Sequence, residues 1–203
     1  MEQAYSIIHS HLSFPYWISL IVVFVIVFAV WKVIAKKKWA QSALIAVFCT
    51  YIFFILLITL IARTPADTPK IKLIPFWSWY EVIVNHNRSL AVEIILNVML
   101  FLPVGILVQL LNIALRRVDN RRVDNKRRGD RDRTDWISVP RVAVFCAIFS
   151  LSIELTQYFT CRGLAEVVDD VVSNTLGGAV GCWCCGCIIK KIRVFKKIRV
   201  EKA

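Results

Sequence analysis

The sequence predicts an all-α membrane protein, a polytopic bundle of about five transmembrane helices. The chain of 203 residues is 58% hydrophobic and has a mean hydropathy of +0.62, whereas a soluble domain averages roughly 45–50% apolar residues. The apolar residues also occur in runs about 20 residues long, and a helix of that length crosses a bilayer core of about 30 Å. Because lipid offers the backbone no hydrogen-bond partners, continuous runs of this kind are helices.

Five such runs follow one another along the chain. The first run lacks a basic N-terminal region and a small-residue cleavage site, so we predict a retained span and not a removed signal peptide. The predicted spans cover about residues 15–35, 39–62, 90–115, 139–160 and 167–189. The chain then divides into two N-terminal spans within 1–62, a three-span core within 63–189 that includes a charged loop at 116–138, and a basic tail at 190–203.

The distribution of basic residues predicts the orientation of the bundle. Positive charge beside short loops stays in the cytoplasm. Of the 26 lysine and arginine residues, 21 lie on one side of the predicted bundle, at 32–38, 116–133, 141 and 190–202. The other side holds Arg63, Lys70, Lys72, Arg88 and Arg162. We therefore predict an outside N-terminus and a cytoplasmic C-terminus, with all five spans in agreement.

The loop between the third and fourth spans is dense in charge. It contains the tandem repeat RRVDNRRVDN at 116–125, followed by KRRGDRDRTD. Low hydrophobicity and mixed charge at this density predict a solvated, irregular segment. Its basic groups are interpreted as a topology anchor, with contact to anionic membrane lipids as the alternative. Nucleic acid is not predicted as a partner.

The loop between the second and third spans is rich in aromatic residues instead. The stretch IKLIPFWSWYEVIV at 71–84 contains Trp77, Trp79 and Tyr80. Such rings suit the headgroup zone of a membrane, where one side of the ring is apolar and the other is wet. Two interpretations remain open, an interfacial or re-entrant segment that lies over the bundle, and an ordinary aromatic belt.

Polar side chains recur along the faces of four predicted spans. Residues three or four positions apart share a helix face. On the fourth span such a row includes Glu154 and Gln157, and on the fifth it includes Asp170 and Asn174, with Asp169 about 100° away. In the predicted orientation these side chains fall in the outer half of the bilayer. The candidate ligand-binding residues are Arg63, Asn97, Glu154, Gln157, Arg162, Asp169, Asp170 and Asn174.

The cost of burying charge suggests where these side chains face. A charged group within a membrane span costs about 2.5–3.5 kcal/mol. Four carboxylates facing lipid, those of Glu93, Glu154, Asp169 and Asp170, would therefore cost on the order of 10 kcal/mol. We therefore predict that they face one another or an outward-open aqueous pocket. Two accounts remain: interhelical hydrogen bonds that set the packing, or a site for a ligand that arrives from outside, because intramembrane ionisable groups usually mark function.

Small residues and cysteines crowd the fifth span without predicting a metal or cofactor. Gly177, Gly181 and Cys185 stand at four-residue steps and form a ridge that would let another helix approach closely. The run CWCCGC at 182–187 lacks the paired, separated spacing of zinc sites, and free cysteine packs as a small hydrophobe. The sequence also lacks H-E-x-x-H, G-x-S-x-G and P-loop motifs, so it assigns no catalytic residue.

Six short blocks resemble the VanZ-like membrane proteins. They are RTP (63–65), KLIPFW (72–77), NVMLFLPVG (97–105), IELTQ (153–157), RG (162–163) and DDVVSNTLGG (169–178). One departure is that Glu166 stands three residues before Asp169, where the family pattern has an acidic residue two before. The charged loop is also longer than is usual in the family.

The resemblance implies a protein of the cell membrane of Gram-positive bacteria, associated with low-level resistance to glycopeptides such as teicoplanin and to lipoglycopeptides. The expected ligand is the drug or a lipid-linked cell-wall precursor, bound in the outward polar pocket. Two alternatives stay open. One is an enzyme acting on a lipid-linked pyrophosphate, with Glu154 as acid or base, Asp169 and Asp170 holding a divalent ion, and Arg63 and Arg162 clamping the anion. The other is a small transporter or a structural partner of an envelope enzyme.

Overall fold

The computed structural model describes residues 14–34, 38–61, 70–71, 74–123, 138–161, 164–165 and 167–201. Helix α1 spans Phe14–Ala29 and ends in the π-helical turn Val30–Ile34, and α2 spans Trp39–Leu56 and ends in the π-helical turn Leu57–Ile61. The short α3 covers Trp77–Val84. The remaining helices are α4 (Arg88–Val123), α5 (Val139–Thr160) and α6 (Val167–Glu201).

Five of these helices are long and apolar enough to cross a membrane. They contain the segments Tyr16–Val33, Trp39–Ile61, Arg88–Leu115, Val139–Thr160 and Val167–Ile192, which agree closely with the predicted spans. The predicted class, an all-α multi-pass membrane bundle, is therefore confirmed. The orientation of the termini stays a prediction.

Helices α4 and α6 continue past the membrane-spanning length. Helix α4 reaches Val123, so the backbone is helical over the first eight residues of the segment for which we expected an irregular loop. Arginine is a good helix former, and this propensity extends a helix that has already begun. Helix α6 likewise runs to Glu201 through most of the basic tail. Residues 124–137 lie outside the described residues.

Close contact between α4 and α6 depends on glycine. A Cβ atom at Gly177 would collide with the backbone of Val98, and one at Gly181 with the backbone of Leu102. At Gly105 it would collide with the backbones of Gly178 and Cys182. The predicted small-residue ridge is confirmed at Gly177 and Gly181. Because the residue numbers of the contacting positions increase in the same direction on the two helices, α4 and α6 run parallel.

Helix α5 packs against the same stretch of α6 in the opposite direction. A Cβ at Gly178 would collide with the Cys146 side chain, and one turn along α6 the side chain of Asn174 contacts Ser150. Apolar residues fill the middle of the bundle and separate two groups of buried polar side chains. This core contains Ile55, Phe101, Val104, Val142, Cys146, Ile153 and Cys182.

The peripheral elements attach in different ways. Helix α1 packs on α2, where the Phe28 and Trp39 rings lie 5.5 Å apart and Lys32 Nζ lies 4.4 Å from the Trp39 ring centroid. The two-residue strands β1 (Lys70–Ile71) and β2 (Leu164–Ala165) pair in parallel. This pairing joins the loop before α3 to the loop between α5 and α6, at the end of the bundle where most of the candidate residues lie.

Candidate ligand-binding site

Six of the eight candidate residues are described, and they gather at one end of the bundle. We call this group the carboxylate layer and include Ser150, which bonds to one of its members. Arg63 and Arg162 lie outside the described residues. The layer consists of Asn97 on α4, Ser150, Glu154 and Gln157 on α5, and Asp169, Asp170 and Asn174 on α6.

Helices α5 and α6 meet in this layer through a regular register. Asn174 Nδ2 donates a hydrogen bond of 2.8 Å to Ser150 Oγ, one turn from the contact between Cys146 and Gly178. In an antiparallel pair with four-residue steps, the next step places Glu154 level with Asp170. Glu154 is only 3% exposed. Two carboxyl groups therefore occupy one level on facing helices.

Helix α4 contributes Asn97 to the same level. Its Nδ2 donates a hydrogen bond of 2.6 Å to Asp170 Oδ1. A hydrogen bond to an ionised acceptor is short and stronger than one between neutral groups. Asp170 is thus tied to α4, and the predicted proximity of Asn97 and Asp170 is found in the structure.

Helix α2 joins the layer through its π-helical end. Gln157 Nε2 donates a hydrogen bond of 3.0 Å to the carbonyl oxygen of Thr59, which lies in the turn Leu57–Ile61. The wide π-helical turn departs from the regular pattern of helix hydrogen bonds, and such turns are frequent at functional sites. Gln157 therefore links α5 to the one irregular turn that α2 carries.

Asp169 has a structural task that the sequence does not reveal. Its Oδ1 accepts a hydrogen bond of 2.7 Å from the backbone N–H of Phe76, and its Oδ2 accepts one of 2.7 Å from the backbone N–H of Ser78. A carboxylate satisfies the free N–H groups at a helix start and interacts favourably with the helix dipole. Asp169 on α6 therefore caps α3 and holds it against the bundle.

The cap also accounts for the backbone at the start of α3. Phe76 has a φ of 58°, in the left-handed region that non-glycine residues seldom adopt, and its side chain makes no capping bond. Ser173 Oγ donates 2.8 Å to the Asp169 carbonyl oxygen and completes the network. Both Asp169 oxygens are occupied by α3, whereas the sequence-based hypotheses use them for a ligand or a divalent ion. A ligand contact of Asp169 stays a prediction.

Two amides of the layer carry buried oxygens that accept no hydrogen bond. Among the residues that the structure describes, Gln157 Oε1 and Asn174 Oδ1 have no donor within bonding distance, although their side chains are 1% and 6% exposed. The indole Nε1 of Trp79 on α3 is likewise buried without an acceptor. A buried polar atom without a partner costs about 1–3 kcal/mol.

A second polar group, which we call the amide layer, lies beyond the apolar core. It comprises the buried side chains of Gln41, Ser42 and Gln109. Gln41 Nε2 donates 2.8 Å to the Ala114 carbonyl oxygen, and Cys182 Sγ donates 3.8 Å to Gln109 Oε1. Sequence reasoning missed this layer, although the row of four-residue steps from Asn97 through Phe101 and Gly105 reaches Gln109 at its next step.

An open cleft lies elsewhere, where α3 meets α4. It has a volume of about 350 Å³ and is lined by Val82, His86, Asn87, Arg88 and Ala91. None of the candidate residues lines it. The predicted aqueous pocket within the carboxylate layer stays a prediction.

The fold and the layer define a multi-pass helical membrane protein with a cluster of buried carboxylates and amides at one end. The sequence model of the VanZ/LLP1 family matches residues 14–190. The chain therefore belongs to the VanZ/LLP1 family, and the resemblance drawn from the short blocks is confirmed. No curated protein and no solved structure matches the chain significantly.

Proposed function

We propose that this VanZ-family protein resides in the bacterial cell membrane and lowers susceptibility to glycopeptide antibiotics of the teicoplanin type. It does so by binding the drug or a lipid-linked cell-wall precursor at the carboxylate layer. The observation that carries the proposal is the convergence of carboxyl and amide side chains from α4, α5 and α6 at one end of the bundle, where Gln157 also bonds to the π-helical turn that follows α2. Glycopeptides act outside the cell, so the layer must face outward.

The charge distribution supports that orientation. The loops on the side away from the carboxylate layer hold most of the 26 basic residues, and basic loops stay in the cytoplasm. Modification of Pro75→Cys and Asn125→Cys by a membrane-impermeant thiol reagent tests this in intact cells, in a background with the seven native cysteines replaced. Labelling at 75 and protection at 125 are expected. The reverse pattern would contradict an outward carboxylate layer.

Binding explains the layer better than packing alone. Polar groups that only join helices should have their hydrogen bonds made within the protein. Gln157 and Asn174 instead each retain a buried amide atom without a partner among the described residues. A bound molecule with hydrogen-bonding groups would supply those bonds. The enzyme alternative draws less support, because it requires Asp169 as a metal ligand while both Asp169 oxygens cap α3.

Susceptibility of a Gram-positive host tests the proposal. The host expresses the wild-type chain, Glu154→Gln or Asp170→Asn, and the minimum inhibitory concentration of teicoplanin is compared with that of an empty-vector strain. Both substitutions keep the side-chain size and remove the charge, so they should abolish the difference that the wild type confers. Gln109→Met, in the amide layer, is the matched control and should retain it.

Protein levels in the membrane fraction must be equal for the comparison to count. If both charge-neutralised variants protect the host as well as the wild type does, at equal protein levels, the carboxylate layer is not needed for the function. Equal susceptibility of the wild-type and empty-vector strains would contradict the role in resistance itself.

A further inference from the structure

The two buried amides of the carboxylate layer each keep one unsatisfied end. Gln157 Nε2 donates to the Thr59 carbonyl oxygen, a group that only accepts, so the opposite end of the amide is the oxygen. That buried oxygen requires an O–H or N–H donor from outside the described protein. Asn174 bonds to Ser150 Oγ, a hydroxyl that can either accept or donate, so the free end of its amide is an oxygen or an NH₂ group.

The two amides lie on either side of a carboxylate. Asn174 bonds at the level of Ser150, which is seven residues from Gln157 along α5, and Glu154 lies between them on the same face. The carboxylate of Glu154 adds further acceptor positions. A ligand that reaches all three groups must carry several hydrogen-bonding groups.

Aromatic rings adjoin the same end of the bundle. Because Asp169 binds the start of α3, the residues Trp77, Trp79 and Tyr80 are held beside the first turn of α6. The Trp79 indole N–H is a buried donor with no acceptor among the described residues. Tyrosine and tryptophan combine a flat apolar surface with one polar atom. A sugar ring matches this combination, because its C–H face packs on an aromatic ring while its hydroxyl groups both donate and accept.

We propose that the carboxylate layer and α3 together form a carbohydrate-binding site. Gln157 accepts a hydrogen bond from a sugar hydroxyl or amide group, the free end of the Asn174 amide bonds to another sugar hydroxyl, and Trp79 donates one. The inference rests on the proposed function and specifies its ligand chemistry as a glycan. Both a lipid-linked precursor and a free envelope glycan present that chemistry.

Binding to the full chain in copolymer nanodiscs, extracted without glycoside detergent, tests the inference. The probes are N,N′-diacetylchitobiose, its dodecyl glycoside and dodecylphosphocholine, each below its micellar concentration. Thermal unfolding midpoints and tryptophan fluorescence are followed against probe concentration. A saturable rise in the midpoint is expected with one or both sugar probes, since a ligand that binds the folded state stabilises it. Response to the soluble disaccharide indicates recognition of the glycan alone, and response to the dodecyl glycoside only indicates a lipid-linked source.

Substitutions locate the site. Gln157→Met and Asn174→Leu should each weaken sugar binding about tenfold or more, the effect of losing one buried hydrogen bond. Trp79→Phe removes the indole N–H and keeps a smaller aromatic ring, and it serves if either of those variants does not fold. Gln109→Met, an equally buried glutamine of the amide layer, should bind like the wild type.

Three results would overturn the inference: no midpoint shift with either sugar probe, an equal shift with dodecylphosphocholine, or unchanged sugar affinity in the Gln157, Asn174 and Trp79 variants. The last result would leave water as the partner of the buried acceptors. Sugar binding without any change in teicoplanin susceptibility would contradict only the proposed function. A change in susceptibility without sugar binding would contradict only the carbohydrate site.

Discussion

The carboxylate layer and the amide layer are both buried polar groups within one helix bundle, yet they differ in how their atoms are satisfied. In the amide layer, Gln41 and Gln109 bond to neighbouring helices, and neither amide has a buried atom without a partner among the described residues. Ser42 is the exception, because its buried hydroxyl has no hydrogen-bond partner among the described residues.

The carboxylate layer combines the same kind of interhelical bonds with atoms that the described protein does not satisfy. Gln157 and Asn174 bond across helix interfaces and still each keep one unpaired amide atom in the interior. The layer also contains carboxyl groups, which cost most to bury in a membrane. These unpaired amide atoms and the charge support the proposed ligand site.

The largest expected effect comes from separating the helices between the two layers. Gly105→Val would place a branched side chain against the backbones of Gly178 and Cys182. Backbone cannot move aside as a side chain does, so the cost should exceed the roughly 1–3 kcal/mol that is typical of overpacking. We expect loss of folded protein from the membrane, measured by fluorescence size exclusion.

A control adds volume on the exposed side of α6 instead. Val180 is 42% exposed, so Val180→Leu should accumulate and elute like the wild type. Normal folding of Gly105→Val would mean that α4 and α6 do not depend on this close approach.

The next largest effect is expected for the cap on α3, which Asp169 of the carboxylate layer provides. Asp169→Asn keeps the side-chain size but replaces one of two acceptor oxygens with an NH₂ group, which cannot accept from the N–H of Phe76 or Ser78. Loss of one charge-assisted bond should destabilise the docking of α3 by about 1.5–3 kcal/mol. Proteolysis at the α3–α4 junction should accelerate, while the membrane spans stay folded.

Comparison with Asp170→Asn separates the effect of losing the cap on α3 from the effect of losing a negative charge. That variant removes a neighbouring carboxylate that makes its described bond to α4 instead. Equal proteolysis of the two variants would contradict a specific role of Asp169 in holding α3.

The spans and the layer could be predicted from sequence because both follow from short-range patterns. Apolar runs determine which segments can enter lipid, and four-residue steps placed Glu154, Gln157, Asp170 and Asn174 on faces that the structure brings together. The facing helices could not have been paired from these rows alone. Their register depends on where the glycines of α6 meet the backbone of α4.

The cap on α3 and the amide layer could not be predicted in the same way. The residue before α3 is Phe76, which offers no capping side chain, and its partner Asp169 lies 93 residues further along the chain. No local signal connects the two. Gln109 could have been found by continuing the four-residue steps from Asn97. A neutral amide, however, costs less to bury than a carboxylate and is a weaker sign of a functional site.

A smaller effect is expected at the bond between α4 and α6. Asn97→Leu removes the donor to Asp170 and should destabilise the bundle by about 1–3 kcal/mol, because Asp170 loses a bond that stabilises its charge. Asp170→Asn should reduce this penalty, so the two substitutions together should cost less than their sum. Chemical unfolding in nanodiscs measures the coupling. Strict additivity would show that the 2.6 Å contact contributes nothing to stability.

The smallest effect is expected in the amide layer and sharpens the comparison most. Gln109 lies on α4, three four-residue steps beyond Asn97, and is buried to a similar extent as Gln157. Its only described bond is a weak one from the Cys182 thiol, so Gln109→Met should keep the volume and cost less than about 1.5 kcal/mol. The free energy of unfolding in nanodiscs, measured beside Asn97→Leu, tests this directly. A penalty as large as that of Asn97→Leu would mean that the two layers stabilise the bundle equally, and completeness of hydrogen bonding would then no longer distinguish a packing layer from a binding layer.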